Sequence, residues 1–266
     1  MSTFKDWLLL QEAAMDNKYP FKAIFLCGGP GSGKSLVAET MFSGVGFKFS
    51  SIDYVLKYLA KKTGTEGEID IRQLYSQSGL FSKAADLLKK RNSLWQSAGT
   101  SFVLDITGRD VSLVRQLKEQ VEGQGYDAFM VYVASSLETA IKRNDARGTL
   151  PDGHVADPQF LQQAWNDARR NIGIYRDIFN QNFIRINNDK DMDNHKVMDL
   201  HRIGQHIATL PVQNPIGQKQ VVQKAVRHAW TKPRLGVGGW TKGSQWQHTV
   251  DSDISDTFDE PAMKEI

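Results

Sequence analysis

The chain has 266 residues, a formal net charge of +3 and one cysteine. A charge this small does not by itself indicate nucleic-acid binding, and a single cysteine excludes an internal disulfide framework, so we expect a reducing, cytoplasmic compartment. The N-terminal apolar run is too short for a signal peptide, and no window is apolar over the length of a membrane span. We therefore expect a soluble protein without a membrane partner.

Apolar, β-rich segments alternate with helical segments along the first 210 residues. The predicted strands span residues 23–27, 47–52, 102–106, 128–133 and 183–186. The predicted helices span residues 34–42, 54–62, 80–96, 111–122, 137–147, 158–180 and 194–210. Alternation of this kind predicts an α/β fold, with a five-stranded parallel sheet covered by helices on both faces. We assign residues 1–210 to this domain.

A glycine-rich segment joins the first predicted strand to the first predicted helix. It matches the pattern G-x-x-x-x-G-K-[ST], in which bare backbone N–H groups and a helix N-terminus surround a phosphate. The predicted nucleotide-binding residues are Gly28, Gly29, Pro30, Gly31, Ser32, Gly33, Lys34 and Ser35. In this pattern Lys34 bridges the β- and γ-phosphates, and the Ser35 hydroxyl ligates Mg²⁺. The sequence therefore predicts ATP or GTP binding.

Three later segments resemble one family. They read KFSSIDYVLKYL around Asp53, SFVLDITGRD around Asp105, and SSLETAIKRNDARGT with Arg143 and Arg147. In this order they resemble the P-loop kinases typified by the 5′-kinase domain of phage polynucleotide kinase, and the related zeta-toxin kinases. The resemblance covers roughly residues 20–190. It implies a helical lid at about 143–170 and Mg-ATP-dependent transfer of the γ-phosphate to a nucleic-acid 5′-hydroxyl or a nucleotide-type acceptor.

The resemblance also implies catalytic roles. Asp53 corresponds to the general base that takes the proton of the acceptor hydroxyl, although an aspartate here could equally cap the following helix. Arg143 and Arg147 correspond to lid residues that close over ATP. Their spacing of four places them on one helix face, where they could also be ordinary solvated arginines.

Residues at the end of the third predicted strand are candidates for the metal and the acceptor. An acid at the position of Asp105 can hold the water shell of Mg²⁺ or orient substrate. Thr107 and Arg109 follow in a loop at the same edge of the sheet, where ligands of such folds bind. Arg109 could bind an acceptor phosphate, or it could form a salt bridge with the next helix.

The chain departs from the polynucleotide kinases directly after Asp53. Those enzymes have an arginine within one turn of the catalytic aspartate that binds an acceptor phosphate, whereas here the next cation is Lys57. Lys57 or Arg109 could substitute for it. Two alternatives stay open: a zeta-like or other small-molecule kinase, for example one acting on a nucleotide sugar, and a non-catalytic nucleotide-binding protein that docks through its C-terminal segment.

Composition changes after residue 210. Residues 211–250 contain six Lys or Arg and no acid, with Trp230, Trp240 and Trp246 among them, and residues 251–266 contain six Asp or Glu and one Lys. We predict a basic, tryptophan-containing arm that ends in an acidic tail, with one helix near 219–230. The arm could be a flexible tail, but its indoles are expected to be buried against some surface. The acidic tail could occupy the basic arm in place of phosphates, which favours docking on the first domain or on a protein partner over docking on nucleic acid.

Overall fold

The computed structural model describes residues 19–62, 78–148 and 155–231. The chain divides into two units, Met1–Lys224 and Ala225–Ile266. The strands of the described residues are β1 (Lys22–Cys27), β2 (Lys48–Ser50), β3 (Phe102–Asp105), β4 (Asp127–Ala134) and β5 (Phe183–Asn187). The helices are α1 (Lys34–Phe42), α2 (Ile52–Lys62), α3 (Ser78–Ser97), α4 (Val111–Glu122), α5 (Leu137–Arg147), α6 (Pro158–Arg170), α7 (Ile172–Phe179), α8 (Asn194–Thr209) and α9 (Pro215–Thr231).

The five strands form one parallel sheet in the order β2-β3-β1-β4-β5. β1 is the central strand, and all six of its residues are buried because both faces of the sheet are covered. Its neighbours β3 and β4 both pair with Ile24, through Val103 and Phe129 respectively. The predicted five-stranded parallel sheet with helices on both faces is confirmed.

Side chains alternate between two apolar clusters on opposite faces of the sheet. On one face Phe25 and Phe102 pack with side chains of α4, α6 and α7. On the other face Ile24 and Val131 pack with side chains of α1 and α8. The glycine loop, defined here as residues 28–35, therefore follows the C-terminal end of a fully buried central strand and continues into a helix that is packed on the sheet. This anchoring at both ends fixes where the loop lies.

One predicted helix is two helices in the structure, and the ends of several other elements differ from their predicted bounds. The predicted helix 158–180 is wrong as a single helix, because α6 ends at Arg170 and α7 begins at Ile172. Asn171 lies between them and donates from its side-chain amide to the carbonyls of Gly108 and Arg109, which turns the chain toward the loop after β3. β2 is also shorter than predicted, since α2 already begins at Ile52.

A buried ion pair lies at the edge of the sheet opposite the glycine loop. The Lys22 ammonium donates to the Asp127 carboxylate at 2.6 Å, and their side chains are 1% and 6% exposed. Lys22 also donates to the carbonyl of Pro211, and Asp127 accepts from the backbone N–H groups of Gln213 and Asn214. These contacts hold residues 211–214 against the sheet.

The first unit includes residues beyond the predicted domain boundary at 210. Val212 and Val221 pack against the core cluster that contains Phe25, and the unit extends to Lys224. The helix predicted near 219–230 is α9. The remainder of the predicted arm, residues 232–266, lies outside the described residues. Within the part of the chain that is described, no helix is long and apolar enough to cross a membrane.

Candidate active site

The glycine loop follows a path that requires glycine at two of its turns. Gly31 and Gly33 have φ of +76° and +80°, in the left-handed region that side chains disfavour. A Cβ at Gly31 would also collide with the carbonyl of Ala140 in α5, and a Cβ at Gly33 would collide with the side-chain amide of Asn188. Gly33 precedes the first residue of α1, so the exposed N–H groups of that helix begin where the loop ends.

Lys34 and Ser35 lie in the first turn of α1. The Lys34 ammonium donates to the carbonyl of Gly28 at 2.9 Å, so its charge lies across the mouth of the glycine loop. Ser35 is exposed, and its hydroxyl is accessible to a ligand. A loop without Cβ atoms, a positive helix end and an ammonium group together fit the β- and γ-phosphates of a nucleotide.

Two carboxylates interact with each other at this site, and one of them, Asp105, also interacts with Lys34. Asp105 ends β3, and Asp53 is the second residue of α2. Burial raises the pKa of the Asp105 carboxyl above its ordinary value, the Lys34 ammonium opposes this shift, and the Asp53 carboxylate adds to it. The three groups thus interact electrostatically, which places both predicted acids at the same edge of the sheet as the glycine loop.

Tyr54 and Glu39 border these carboxylates, although the sequence analysis did not single them out. The Tyr54 hydroxyl donates to the Glu39 carboxylate at 2.8 Å, so α2 is joined to α1. Burial, then this hydrogen bond and the charges of Glu39, Asp105 and Asp53, raise the pKa of Tyr54 to about 12. Glu39 lies four residues after Ser35, on the same helix face, and that spacing was the signal available in the sequence.

The loop after β3 lines a separate cavity of about 520 Å³. Thr107 is exposed there. The Arg109 guanidinium lies 3.5 Å from the Asp167 carboxylate of α6, as an ion pair without hydrogen-bond geometry, and 5.2 Å from the centre of the Phe160 ring. Of the two roles considered for Arg109, the structure therefore shows an ion pair, but with α6 and not with the helix that follows it.

The helix α5 contacts the glycine loop through Arg143. One guanidinium nitrogen of Arg143 lies 3.5 Å from the carbonyl of Ser32. Arg147 is exposed in the last turn of the same helix. The Asn144 side chain exchanges two hydrogen bonds with the backbone of Ala156, at 2.8 and 3.0 Å, which holds together the two ends of the segment between α5 and α6.

The helix α6 contacts the glycine loop through Trp165. A Cβ at Gly29 would lie only 3.1 Å from the Trp165 backbone, so the helix packs directly on the loop. The indole N–H donates to the carbonyl of Ser135 at 2.9 Å. The predicted lid region thus contains two helices in contact with the glycine loop, although residues 149–154 between them lie outside the described residues.

The structure brings most of the predicted site residues to one edge of the sheet. Lys34 and Ser35 are part of the glycine loop, and Arg143 contacts it. Asp105 interacts with Lys34, and Asp53 interacts with Asp105. Arg147 and Thr107 are at the surface, Arg109 is paired with Asp167, and the side chain of Lys57 lies outside the described part of the chain. Among the described residues no three His, Cys, Asp or Glu side chains group to hold a metal ion.

Residues 24–171 match the family model described as "AAA domain". This match spans more than half of the chain. The chain belongs to the AAA domain family. With its five-stranded parallel sheet and glycine loop, this AAA-domain protein has the P-loop kinase fold. No curated protein sequence matches it.

Solved structures with a similar fold include the AvrRxo1-ORF1:AvrRxo1-ORF2 complex. With sulphate ions it is 16% identical, with a TM-score of 0.53, over 92% of this chain and 75% of that chain. With ATP it is 17% identical, with a TM-score of 0.51, over 88% and 73%. The PezAT toxin-antitoxin system of Streptococcus pneumoniae is 17% identical, with a TM-score of 0.44, over 87% and 99%. At these identities the likeness concerns the fold alone.

Proposed function

We propose that this AAA-domain protein is an ATP-dependent phosphotransferase that moves the γ-phosphoryl group of ATP to an acceptor hydroxyl. The observation that carries the proposal is the electrostatic interaction of Asp105 with both Lys34 of the glycine loop and Asp53. A loop that only binds nucleotide needs the lysine but not two neighbouring carboxylates. Transfer to an alcohol does need them, since one can accept a proton while the other serves the metal.

The residues present fit both ATP and Mg²⁺. The glycine loop provides the cradle, which a Cβ at Gly31 would fill. The exposed Ser35 hydroxyl and the Asp105 carboxylate would hold the metal, either directly or through its water shell. When bound, Mg²⁺ neutralises charge on the phosphate oxygens during transfer. Burial within the end of β3 suits Asp105 to this fixed role.

Asp53 is our candidate for the general base. It lies in the first turn of α2 next to Tyr54, whose side chain is 48% exposed, so this end of α2 borders solvent where an acceptor can enter. The carboxylate would accept the hydroxyl proton as the acceptor oxygen attacks the γ-phosphorus of ATP, while the bond from that phosphorus to the bridging oxygen breaks and ADP leaves. Arg143, beside the loop, and Arg147, one turn further along α5, would close on the phosphates, since planar guanidinium groups match phosphoryl oxygens.

For the acceptor we infer a nucleotide-type molecule or a nucleic-acid 5′-hydroxyl. Tyr54 and Tyr58 lie four residues apart on α2 directly after Asp53, and they are 48% and 57% exposed. Half-exposed aromatic rings beside a catalytic group are suited to stack on nucleobases. Thr107 lies on the loop after β3 and would contact the acceptor's polar groups. Lys57, on the same helix as the tyrosines, stays a candidate for an acceptor phosphate.

A small-molecule alcohol, such as the sugar of a nucleotide sugar, is the second candidate. The Arg109 charge is already balanced by Asp167, and Asp110 lines the same cavity. Among the described residues that line this cavity, no cation is left uncompensated for an acceptor phosphate, which favours an uncharged hydroxyl group at this position.

The C-terminal arm is proposed to dock on protein. Residues 211–224 already pack in the first unit, through Pro211, Gln213, Asn214 and Val221. The alternative of a non-catalytic assembly protein would use the same arm with the nucleotide site as a structural element. Phosphoryl transfer separates the two possibilities.

The test is transfer of labelled γ-phosphate from ATP to a panel of acceptors. The panel contains DNA and RNA oligonucleotides with a free 5′-hydroxyl, nucleosides, nucleotide sugars and simple sugars. We expect a labelled product that depends on Mg²⁺ and is lost in the Asp53→Asn variant. If no acceptor is labelled above the level of that variant, although ATP binds, the protein is a nucleotide-binding protein and not a phosphotransferase.

A further inference from the structure

A buried asparagine outside the predicted site contacts the glycine loop. Asn188 directly follows β5 and is 2% exposed. Its backbone N–H donates to the carbonyl of Ala134 at 2.8 Å, which fixes it beside β4. Its side-chain amide donates to the carbonyl of Ser32 at 2.7 Å. This hydrogen bond thus links the glycine loop to the residue that directly follows β5, an edge strand of the sheet.

Lys196 determines which way the Asn188 amide points. The Lys196 ammonium lies in the first turn of α8 and donates to the Asn188 side-chain oxygen at 2.7 Å and to the carbonyl of Lys190 at 2.8 Å. An ammonium group can only donate, and the Ser32 carbonyl can only accept. With the amide oxygen facing Lys196, the NH₂ group must face Ser32. The three groups form a chain in which Lys196 donates to Asn188 and Asn188 donates to Ser32.

This chain sets the orientation of one peptide group in the loop. The peptide between Ser32 and Gly33 is planar and trans, so its N–H points away from its carbonyl. Because the carbonyl is held toward Asn188, the Gly33 N–H points in the opposite direction. The space that a Cβ at Gly33 would need is filled by the Asn188 amide, which explains why glycine is required there. A peptide that rotated would lose the donor needed for the phosphates.

Arg143 approaches the same carbonyl from α5. Its distance from the Ser32 oxygen, 3.5 Å, is at the limit of a hydrogen bond, whereas the Asn188 amide is at 2.7 Å. The Lys196 charge lies close enough to repel Arg143, since burial and then Arg143 lower the pKa of Lys196. Arg143 can therefore leave the carbonyl without leaving it unpaired.

We propose that Asn188 and Lys196 are positioning residues of the nucleotide site. They hold the Ser32–Gly33 peptide with its N–H directed to the triphosphate, and they leave Arg143 available for the transferring group. The inference rests on the proposed function in so far as the ligand is a nucleoside triphosphate. It is tested by binding alone, without any acceptor.

The first test is Asn188→Asp, which keeps the size of the side chain but removes the donor to Ser32. We expect the Kd for MgADP, measured by calorimetry, to rise by about tenfold, the scale of one hydrogen bond of about 1.4 kcal/mol. Asn182→Asp is the matched control, because the Asn182 amide also donates to a backbone carbonyl, that of Ala128, at 3.0 Å, but at the other end of β5. Its Kd should stay near that of the wild type.

The second test uses Lys196, whose side chain is only partly buried and whose replacement leaves the core intact. Lys196→Met should weaken MgADP binding in the wild-type background and have no further effect in the Asn188→Ala background, since its influence passes through the amide. Lys196→Arg keeps the charge and the donor, and it should bind MgADP about as tightly as the wild type. Equal effects of Lys196→Met in both backgrounds, or an unchanged Kd in Asn188→Asp, would overturn the inference. If the wild type binds no nucleotide, the proposed function itself fails.

Discussion

At the scale of single residues, the chemistry of the site depends on the charged groups near Lys34. The Asp105 carboxylate interacts with the Lys34 ammonium and with the Asp53 carboxylate, and burial raises the pKa of Asp105. Such a group is unfavourable for folding when it is ionised and is retained where function requires it. The two acids differ in their surroundings. Burial makes the ionised form of Asp105 unfavourable, whereas Asp53 lies in the first turn of α2.

Asp53→Asn tests the general base. The amide keeps the shape of the carboxylate but cannot accept the hydroxyl proton, so we expect kcat to fall by about 100-fold or more. The Kd for MgATP should be nearly unchanged, since Asp53 does not belong to the glycine loop. Asp86→Asn, an exposed position on α3, is the control and should leave kcat as it is. Normal turnover in Asp53→Asn would reduce the role of Asp53 to that of a first-turn helix residue.

The raised pKa of Asp105 predicts a pH-dependent cost in stability. Because the folded state holds this proton more tightly than the unfolded chain, the protein loses stability as the pH rises from the ordinary carboxyl range through the raised value. Asp105→Asn should therefore have a higher Tm than the wild type at pH 7 in the absence of nucleotide. The difference should disappear as the pH falls below about 4, where the carboxyl becomes protonated in the unfolded chain as well as in the folded state. A lower Tm for the variant at pH 7 would contradict this account.

At the scale of elements, the position of the glycine loop depends on how tightly α1 packs. The loop runs directly into α1, and α8 crosses that helix where Gly204 faces the backbone of Met41. A side chain at 204 would push α8 away from α1 and disturb the apolar cluster that contains Ile24. The close packing of α8 on α1 thus helps to hold the glycine loop in place.

Gly204→Ala tests this contact. A Cβ at this position would collide with the carbonyl of Met41, and we expect a loss of about 1–3 kcal/mol in the free energy of unfolding. Gly173→Ala in α7 is the matched control, because a Cβ at Gly173 meets nothing within 4 Å. That change should be neutral or stabilising by up to about 1 kcal/mol. Denaturant unfolding of both variants gives the comparison, and equal effects would show that the contact at Met41 is easily relaxed.

The sequence predicts those elements whose cause is local. The apolar run of β1 and the glycine pattern after it are sufficient to predict the glycine loop and the position of Lys34 in it. The break at Asn171 was missed, because it depends on hydrogen bonds to the loop after β3, about 60 residues earlier in the chain. Asn188 could not be found either, since its partner Ser32 is 156 positions away and no local pattern marks the pair.

At the scale of the whole molecule, residues 211–224 are part of the first unit. The Asp127 carboxylate accepts from two backbone N–H groups of residues 213–214, and its ion pair with Lys22 is almost fully buried. The site and this buried pair lie at opposite edges of the same sheet. The change in composition after residue 210 is visible in the sequence. The packing of residues 211–224 in the first unit is not, because charge content does not show which backbone groups are hydrogen-bonded.

Two truncations test how the C-terminal segment contributes. Ending the chain after Leu210 removes the partners of Asp127 and the packing of Val221, so we expect a loss of several kcal/mol, within the range of about 3–5 kcal/mol for a broken buried charge network. Ending it after Thr231 keeps these contacts and should leave the Tm of the first unit nearly unchanged. Equal Tm values for the two truncated chains would mean that residues 211–224 add nothing to stability.

The central claim is that the glycine loop and the acids beside it transfer phosphate. The most direct test compares the wild type with Lys34→Ala for transfer of labelled γ-phosphate to the best acceptor of the panel. Arg202→Ala is the control, a cation whose side chain is 72% exposed on α8. We predict that Lys34→Ala folds normally but loses transfer by about 100-fold or more, because the bridging charge is gone. Transfer at the wild-type rate in Lys34→Ala would contradict the account.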